Sequence, residues 1–483
     1  MKKGIVKNYI YNLIYQLLVL ILPLITTPYL SRTLGAEGIG IYSYTLSIST
    51  YFILLGSLGV AMYGQREIAY VQENIQKRSK VFWEIIIFRF ITMSIGMIMF
   101  YILFVRQGEY KDYYKILMLE LLANCIDISW LFQGLEEFKK TVTRNMIVKI
   151  ISIICIFIFV KSPKDLTKYF IIYVMSILLG NLTLWFYLPR YIKKCKIKEM
   201  KIIRHFKPTL GLFLPQIATQ IYTVLDKTMI GTIVVNKSEV GYYEQAQKII
   251  KMFLTIITSF GTVMVPRMAN TYINGNEDMI KGYMKKSFNF VWVISIPMVL
   301  GIISVANKFV PLFYGSGYEK VSVLMCIISP IIIIIGLSNV IGTQYLIPTK
   351  QQKEYTISVI SGAGINFILN LILINLYGAV GASIATVIAE LTVTGCQMFF
   401  IRKKICIKEI FILARKYCII GLIMFGLSIF IGKNISNDFI SIVIQCLAGI
   451  SIYFIGLIII KDEFIFSAIK AIKQKIDKKV EKV

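Results

Sequence analysis

The sequence predicts an all-α membrane protein with about 14 transmembrane helices, arranged as two six-helix lobes that are parallel repeats, followed by two C-terminal helices. The mean hydropathy of +0.70 and an apolar share of 57% exclude a soluble globular chain. Hydrophobic stretches of roughly 17 to 25 residues recur along the chain, and each is long enough as a helix to cross a hydrocarbon core of about 30 Å. Lys and Arg are concentrated in every second gap between these stretches.

The predicted spans follow these hydrophobic stretches in order. Proline interrupts the first span at Pro23 and Pro28 and the seventh at Pro215, and proline frees backbone carbonyls and bends helices, as expected where helices line a cavity. The spans lie near residues 10–30, 39–63, 82–104, 113–133, 145–161, 167–188, 210–235, 244–266, 286–306, 321–346, 355–376, 378–401, 411–432 and 438–460.

The gaps rich in Lys and Arg are predicted to face the cytoplasm, because short loops retain these residues on that side. Both termini are therefore predicted to be cytoplasmic in a multi-pass protein of the cell membrane. The formal charge of +27 is explained by contact with anionic lipid head groups at these helix ends. Membrane lipids are expected partners and nucleic acid is not, since no soluble stretch is long enough to fold as a nucleic-acid module.

The longest cytoplasmic gap divides the chain after the sixth span. A weak internal repeat supports this division, since Ile-Gly-Ile-Tyr at 39–42 resembles Val-Gly-Tyr-Tyr at 240–243, an offset of 201 residues. Six spans separate the copies, so both halves enter the membrane in the same orientation. The predicted parts are an N-lobe at 1–188, a cytoplasmic linker at 189–208, a C-lobe at 209–401, the last two spans at 402–460 and a tail at 461–483.

The tail alternates apolar and basic residues at helical spacing. Isoleucines at 465, 469, 472 and 476 recur every three or four residues, and lysines lie between or after them at 470, 473, 475, 478, 479 and 482. This pattern predicts a basic amphipathic helix on the cytoplasmic leaflet, with a solvated tail as the alternative.

The motif survey favours transport over catalysis. The eight cysteines show no CxxC spacing, so no disulfide and no metal site are expected, and no Gly-x-x-x-x-Gly-Lys phosphate loop or other cofactor motif is present. The longest external gap, 308–320, is too short for a catalytic domain. The single histidine, His205, lies in a Lys-rich gap and is expected to be a solvated residue. The chain is therefore not expected to be an enzyme.

Charged residues inside the spans are the candidate site. A charge at the centre of a membrane helix costs about 2.5 to 3.5 kcal/mol even on the lenient insertion scale, so each needs a partner or a water-filled cavity. Glu84 is expected to pair with Arg89 or to reach the interface, and Lys248 and Lys251 could equally anchor the outer leaflet. The predicted substrate-binding residues are Arg32, Arg89, Lys149, Lys227, Lys248 and Lys251, and the predicted ion-coupling carboxylates are Asp226, Glu120 and Asp127.

Several segments, in their order and spacing, resemble polysaccharide flippases of the O-antigen and capsule (Wzx) type, within the multidrug/oligosaccharidyl-lipid/polysaccharide exporter superfamily. The segments are 31–42, 66–69, 145–149, 225–227, 239–243 and 377–382, and the resemblance covers roughly residues 5–460. It implies a MATE-like fold and flipping of undecaprenyl-diphosphate-linked oligosaccharide to the outer leaflet by alternating access. A polyprenyl-diphosphate-linked glycan is then the expected partner, with a polysaccharide polymerase and glycosyltransferases as further partners.

The charges inside the spans suit such a cargo, because a diphosphate needs a hydrated cationic cavity. Candidate groups for sugar hydroxyls, or for hydrogen bonds between helices, are Asn124, Asn181, Gln216, Gln220, Gln344, Asn366 and Asn370. A lipid II flippase is a close alternative. A cation-coupled multidrug exporter is a second one, although the first span has no acidic residue, and a non-transporting scaffold would leave the buried charges unexplained.

Overall fold

The structure is a computed structural model that describes residues 2–196, 198, 200–462 and 464–466; within these ranges the side chains of residues 2–21, 138–140, 212 and 214–223 are not described. Two predictions therefore lie outside the described residues. One is the amphipathic tail from residue 467 onward, and the other concerns the side chains of Pro215, Gln216 and Gln220.

The described residues form helices joined by turns and loops, with no strand, and the chain divides into two compact units, Met1–Gly241 and Tyr242–Val483. The predicted lobe boundaries at 188 and 208 stay a prediction. The helices of the first unit are α1 (Lys2–Ser57), α2 (Val60–Tyr70), α3 (Ile75–Phe100), α4 (Lys111–Cys125), α5 (Ser129–Gly134), α6 (Phe138–Phe159), α7 (Leu166–Trp185) and α8 (Phe206–Ile233).

The second unit takes in most of α9 (Ser238–Ile273) and the helices after it. The helices after α9 are α10 (Glu277–Tyr314), α11 (Glu319–Ile328), α12 (Ile331–Ser338), α13 (Gln352–Tyr377), α14 (Ala379–Ile401), α15 (Ile407–Asn434) and α16 (Asp438–Ile459). A π-helix, Asn339–Leu346, continues from α12. Helix α10 packs against α15 and α16, and α13 packs along α14.

The prediction of an all-α membrane fold is confirmed. Among the described residues, 12 helical segments are long and apolar enough to cross a membrane. The first of these, Leu22–Tyr70, contains most of the first two predicted spans, and the seventh predicted span lies on α8, where many side chains are not described. The predicted number of 14 is therefore approximate, but each predicted span falls on helix.

The predicted external turn after the first span is a break in α1. Gly35 has φ 70° and ψ 173°, a backbone conformation that a residue with a Cβ adopts only with strain. Pro23 and Pro28 lie inside the same helix. Two helical segments of α1 therefore meet at a kink in the turn predicted to be external.

The two repeat-related glycines lie where α1 meets the start of α9. A Cβ on Gly40 would overlap the Lys237 carbonyl oxygen, and a Cβ on Gly241 would overlap the Ala36 carbonyl oxygen. The contact is reciprocal, because the same offset of 201 residues relates both the glycines and the two carbonyls. The repeat seen in the sequence is therefore also present in the packing of the first unit.

Candidate functional site

Arg89 is a buried cation on the membrane-spanning helix α3. Its side chain is only 3% exposed, and its Nε and Nη1 atoms make no hydrogen bond with the described residues. The Asp127 carboxylate is the acidic group whose charge acts on the guanidinium. A buried guanidinium with unused donors is costly, so this position is suited to an anion or to ordered water.

A break between α4 and α5 positions Asp127. Three side chains bind the carbonyls around the break: Asn181 Nδ2 donates to Ala123 O at 2.7 Å, and Trp185 Nε1 donates to Ile126 O at 2.7 Å. Trp130 Nε1 donates to the carbonyl of Asp127 itself at 3.2 Å. The Asp127 side chain accepts from the backbone N–H and the hydroxyl of Ser129, at 2.9 and 3.1 Å, and so forms an Asx turn just before α5.

Glu120, one turn before the end of α4, is buried among hydroxyl groups. Ser49 Oγ donates to its Oε2 at 2.9 Å, and the Tyr173 hydroxyl donates to its Oε1 at 3.1 Å. The Tyr42 ring meets the Tyr173 ring edge to face, with centroids 5.5 Å apart. Because hydroxyl donors offset the cost of a buried carboxylate only in part, this group suits a reversible proton or a small cation.

Asp226 and Lys227 lie on α8, where that helix packs against α1. Ser47 Oγ and Thr228 Oγ1 are 2.8 Å apart, and Thr228 Oγ1 donates to the Tyr51 hydroxyl at 3.2 Å. Asp226 is buried and Lys227 is half-buried. Polar contacts between α1 and α8 therefore fix the register of the charged pair.

The other predicted cations occupy less buried positions. Lys149 is half-buried and Arg32 is exposed in the first unit, while Lys248 is half-buried and Lys251 is exposed in the second unit. Among these nine groups, Asp127 is the carboxylate whose charge acts on Arg89 within the first unit. The roles of all nine groups stay predictions.

The second unit buries an amide cluster that the sequence analysis found only in part. Gln344 Nε2 donates to Asn339 Oδ1 at 3.0 Å within the π-helix, and Asn370 Nδ2 donates to Asn366 Oδ1 at 3.0 Å. Gln397, which the sequence analysis missed, donates to Ser358 Oγ at 3.3 Å. The Oε1 atoms of Gln344 and Gln397 have no hydrogen-bond partner among the described residues. Short π-helical segments often mark functional sites, and these free acceptors suit hydroxyl or cationic ligands.

By contrast, Asn124 and Asn181 act within the first unit. Asn124 Nδ2 donates to the Glu120 carbonyl one turn earlier at 3.0 Å. Asn181 links the chain turn at Ala123 to Arg144, whose Nη1 donates to Asn181 Oδ1 at 2.9 Å. Asn181 thus makes a hydrogen bond between helices, the alternative use expected for such amides, whereas the hydrogen bond of Asn124 lies within α4.

The prediction of a solvated His205 is wrong. The side chain is 1% exposed, with Nδ1 2.7 Å from the Tyr63 hydroxyl and Nε2 3.0 Å from the Glu84 carboxylate. Glu84 also accepts from the Lys201 backbone N–H at 2.7 Å and from Arg204. Glu84 thus pairs with Arg204 and His205, whereas the sequence had predicted either a pair with Arg89 or a position at the membrane interface. Burial lowers the pKa of the His205 imidazole, although the Glu84 carboxylate opposes this shift.

An apolar cavity of about 450 Å³ lies between the helices of the second unit. Its walls come from α9, α10, α11, α15 and α16, and its larger side chains include Phe253, Pro297, Met325, Met424, Tyr453 and Phe454. The volume is within the range of small-molecule sites, about 300 to 1,000 Å³. The lining suits a hydrocarbon chain.

Comparison with known proteins identifies a family. Residues 5–272 match the model of the family described as polysaccharide biosynthesis protein, and residues 212–372 match the MatE family. A protein of Escherichia coli (strain K12) named "Putative O-antigen transporter" is 26% identical over 408 residues, which cover 83% of this chain and 97% of that protein. Lipid II flippase MurJ of Bacillus subtilis (strain 168) is 27% identical over 143 residues, covering 29% of this chain and 26% of that protein.

Solved structures share the fold. A structure of lipid II flippase MurJ in an inward closed conformation has a TM-score of 0.74 at 20% identity, covering 94% of this chain and 99% of that one. An inward-facing multidrug resistance MATE family transporter has a TM-score of 0.60 at 12% identity, covering 81% of this chain and 95% of that one. At these identities the similarity concerns the fold alone.

Proposed function

Since the chain belongs to the polysaccharide biosynthesis protein family, we propose that it is a flippase that moves undecaprenyl-diphosphate-linked oligosaccharide from the cytoplasmic to the outer leaflet by alternating access, for cell-surface polysaccharide synthesis. Matched residues 5–272 are more than half of the chain. The similarity to an O-antigen transporter over 97% of that protein's length supports this substrate class. The reaction moves the substrate and makes or breaks no covalent bond in it.

The observation that carries this proposal is the buried Arg89 with two unused hydrogen-bonding atoms. A guanidinium offers a planar fork that matches the oxygens of a diphosphate, and it holds its charge at any physiological pH. With Arg89 we assign phosphate recognition to the other predicted cations, Arg32, Lys149, Lys227, Lys248 and Lys251. At an effective dielectric constant of about 20, one charge pair at 4 Å contributes roughly 4 kcal/mol, so two or three such contacts would offset the lost hydration of the head group.

The apolar cavity of the second unit supports a lipid-linked cargo. Hydrocarbon in the bilayer is as apolar as the cavity, so the cavity does not draw the polyprenyl tail in by the hydrophobic effect. Instead it would fix where the tail lies while the charged head group moves. The glycan would meet amide and hydroxyl groups such as Gln344 and Gln397.

We assign ion coupling, if an ion is coupled, to the three carboxylates predicted for it. Glu120 is buried with hydroxyl donors, the charge of Asp127 acts on Arg89, and Asp226 is buried on α8. A proton or Na⁺ bound to any of them would neutralise a charge that is costly in a membrane helix.

We further propose that the protein resides in the cytoplasmic membrane with both termini inside, as the distribution of Lys and Arg predicts. Surrounding lipids contact the basic helix ends there. A polysaccharide polymerase and glycosyltransferases are the proposed protein partners, because they would use the flipped glycan and supply the unflipped one.

A lipid II flippase is the second candidate, favoured by the 27% identity over 143 residues to lipid II flippase MurJ of Bacillus subtilis. Lipid II is also a polyprenyl diphosphate, so a cationic site would suit either substrate. A cation-coupled multidrug exporter fits less well, because Arg89 would repel a cationic drug.

Complementation tests the proposal. In a strain that lacks its own polysaccharide flippase, the wild-type chain should restore surface polysaccharide, and Arg89→Ala, Lys149→Ala or Lys227→Ala should each abolish it at normal membrane levels. Arg89→Lys and Lys149→Arg keep the charge and should retain part of the activity. Arg106→Ala is the matched control, because this exposed arginine follows the same helix run.

Wild-type export by all three Ala variants would remove these residues from the site. Equal loss of protein level would instead assign them to packing. Rescue of a strain depleted of its lipid II flippase, with no restored surface polysaccharide, would favour the second candidate.

A further inference from the structure

A second, polar cavity of about 230 Å³ lies in the second unit, and its lining includes none of the cations and carboxylates assigned above. It forms where the end of α9, the start of α10, the turn after the π-helix and the turn between α14 and α15 meet. All these segments belong to gaps predicted to be cytoplasmic. The volume is several times the roughly 30 Å³ that one water molecule occupies in the liquid.

The cavity carries a net positive charge. Lys403 and Lys404 come from one turn and Lys281 from the first turns of α10, and Glu277 is the single acidic residue in the lining. Lys281 Nζ lies 3.6 Å from Asp278 Oδ1, but both side chains are exposed. An exposed ion pair of this kind is weak, so it does not neutralise the cavity. Three lysines from two elements therefore line one cavity, and a lysine ammonium binds phosphate as a point charge.

A chain of hydrogen bonds holds one of these lysines in place. Lys404 Nζ donates to Gln351 Oε1 at 3.3 Å, and Gln351 Nε2 donates to Thr349 Oγ1 at 2.6 Å. Thr349 Oγ1 donates in turn to the Tyr345 carbonyl at 2.8 Å, and both Thr349 and Tyr345 are buried. The floor of the cavity is therefore fixed to the π-helix, and Lys404 is held over it before any ligand arrives.

The surroundings favour a lipid over a soluble anion. Next to the lining residues along the chain, Ile273 is 81% exposed and Met279 is 48% exposed, and Phe399 at the end of α14 is 55% exposed. Exposed apolar side chains beside the lysines of the cavity lining are expected at the boundary between acyl chains and head groups. We propose that this cavity binds the phosphate of an anionic phospholipid of the cytoplasmic leaflet.

The proposal is independent of the transported substrate and can be tested without transport. The full chain is purified into nanodiscs of phosphatidylcholine, and native mass spectrometry and the midpoint of thermal unfolding are recorded as phosphatidylglycerol is added. The test variant is Lys403→Gln/Lys404→Gln, which changes two exposed side chains. The control is Lys111→Gln/Lys433→Gln, which removes the same charge from exposed positions outside the cavity.

We expect phosphatidylglycerol to remain bound to the wild type and the control, and retention to fall at least threefold in the test variant. Inorganic phosphate at millimolar concentration should shift neither midpoint. Equal retention by the test and control variants would overturn the site. A midpoint shift with inorganic phosphate, lost in the test variant and without a preference for phosphatidylglycerol, would overturn the lipid assignment in favour of a soluble phosphate.

Discussion

At the scale of single residues, the cost of a buried charge separates candidate binding groups from structural ones. Glu84 is buried, but it accepts hydrogen bonds from Lys201, Arg204 and His205 and so serves the packing of the linker. Arg89 is buried with Nε and Nη1 unused by the described residues. A satisfied charge needs no ligand, whereas an unsatisfied one in a membrane helix is retained only if something else binds it.

The buried histidine predicts a dependence of stability on pH. Burial lowers the pKa of His205 in the folded protein, so the unfolded chain binds the proton more readily. The groups that face it are Tyr63, Glu84 and Arg204. Its contribution should be fully present above the ordinary histidine pKa of about 6.5 and should be lost as the pH falls through the lowered value.

Thermal unfolding of the wild type and of His205→Asn from pH 8 to pH 5 checks this prediction. The wild-type midpoint should fall more steeply below about pH 6.5 than that of the variant. Parallel curves for the two proteins would show that the imidazole does not titrate with unfolding.

At the scale of elements, the spans were predictable and their partners were not. Hydropathy locates each helix, because a membrane requires a long apolar run wherever the chain crosses. The break at Gly35 lies in the gap predicted between the first two spans. The burial of His205 was not predictable, since it depends on Glu84 and Tyr63, which are 121 and 142 residues away in the chain.

For the candidate site too, the sequence predicts the charged residues but not the groups that surround them. Charge inside an apolar run marks Arg89 and Glu120 directly, because the cost of insertion acts on each residue alone. The position from which Asp127 acts on Arg89 depends on a break between α4 and α5, which the nearby Trp130 and the distant Asn181 and Trp185 stabilise. Gln397 was missed because a single amide in an apolar helix looks the same whether it packs or binds.

The close contact of Gly40 and Gly241, where α1 meets the start of α9, predicts the effect of adding a methyl group. Gly40→Ala should destabilise the first unit, because the added methyl group would overlap the Lys237 carbonyl, and backbone cannot move aside as a side chain can. A loss of about 1 to 3 kcal/mol, typical of overpacking, is expected. Gly364→Ala, which adds a methyl group in open space within α13, should be neutral or stabilising by up to about 1 kcal/mol.

The midpoint of thermal unfolding in detergent distinguishes these variants. An unchanged midpoint for Gly40→Ala would mean that α1 and the start of α9 pack less closely than the structure shows. A drop for Gly364→Ala of similar size would mean that any added methyl group is harmful.

At the scale of the whole molecule, the distribution of Lys and Arg predicts the topology. Reporters fused at Pro208, Lys350 and Lys404 should read as cytoplasmic, and those at Lys164, Lys237 and Lys433 as external. The measurement is the activity of a fused reporter enzyme that works only on one side of the membrane. An external reading at Pro208 would contradict the two-lobe arrangement and the proposed cytoplasmic phospholipid site together.

The membrane potential is large enough to drive the proposed step. A diphosphate of charge near −2 that moves outward across an inside-negative membrane gains about 2.3 kcal/mol per charge per 100 mV, or roughly 4 to 5 kcal/mol if the full charge crosses. Cationic residues that move with the head group would cancel part of this gain. Coupling to H⁺ or Na⁺ at Glu120, Asp127 or Asp226 would then supply the rest.

The most direct test is flipping of labelled undecaprenyl-diphosphate-linked oligosaccharide in proteoliposomes under an imposed potassium-diffusion potential. The wild type should move the label in the direction that the potential favours, Arg89→Ala should move none above protein-free liposomes, and Arg106→Ala should match the wild type. Dependence on a pH or sodium gradient at zero potential, lost in Asp226→Asn, would assign the coupling to that carboxylate. A wild-type rate no higher than that of protein-free liposomes under any of these gradients would contradict the proposed function itself.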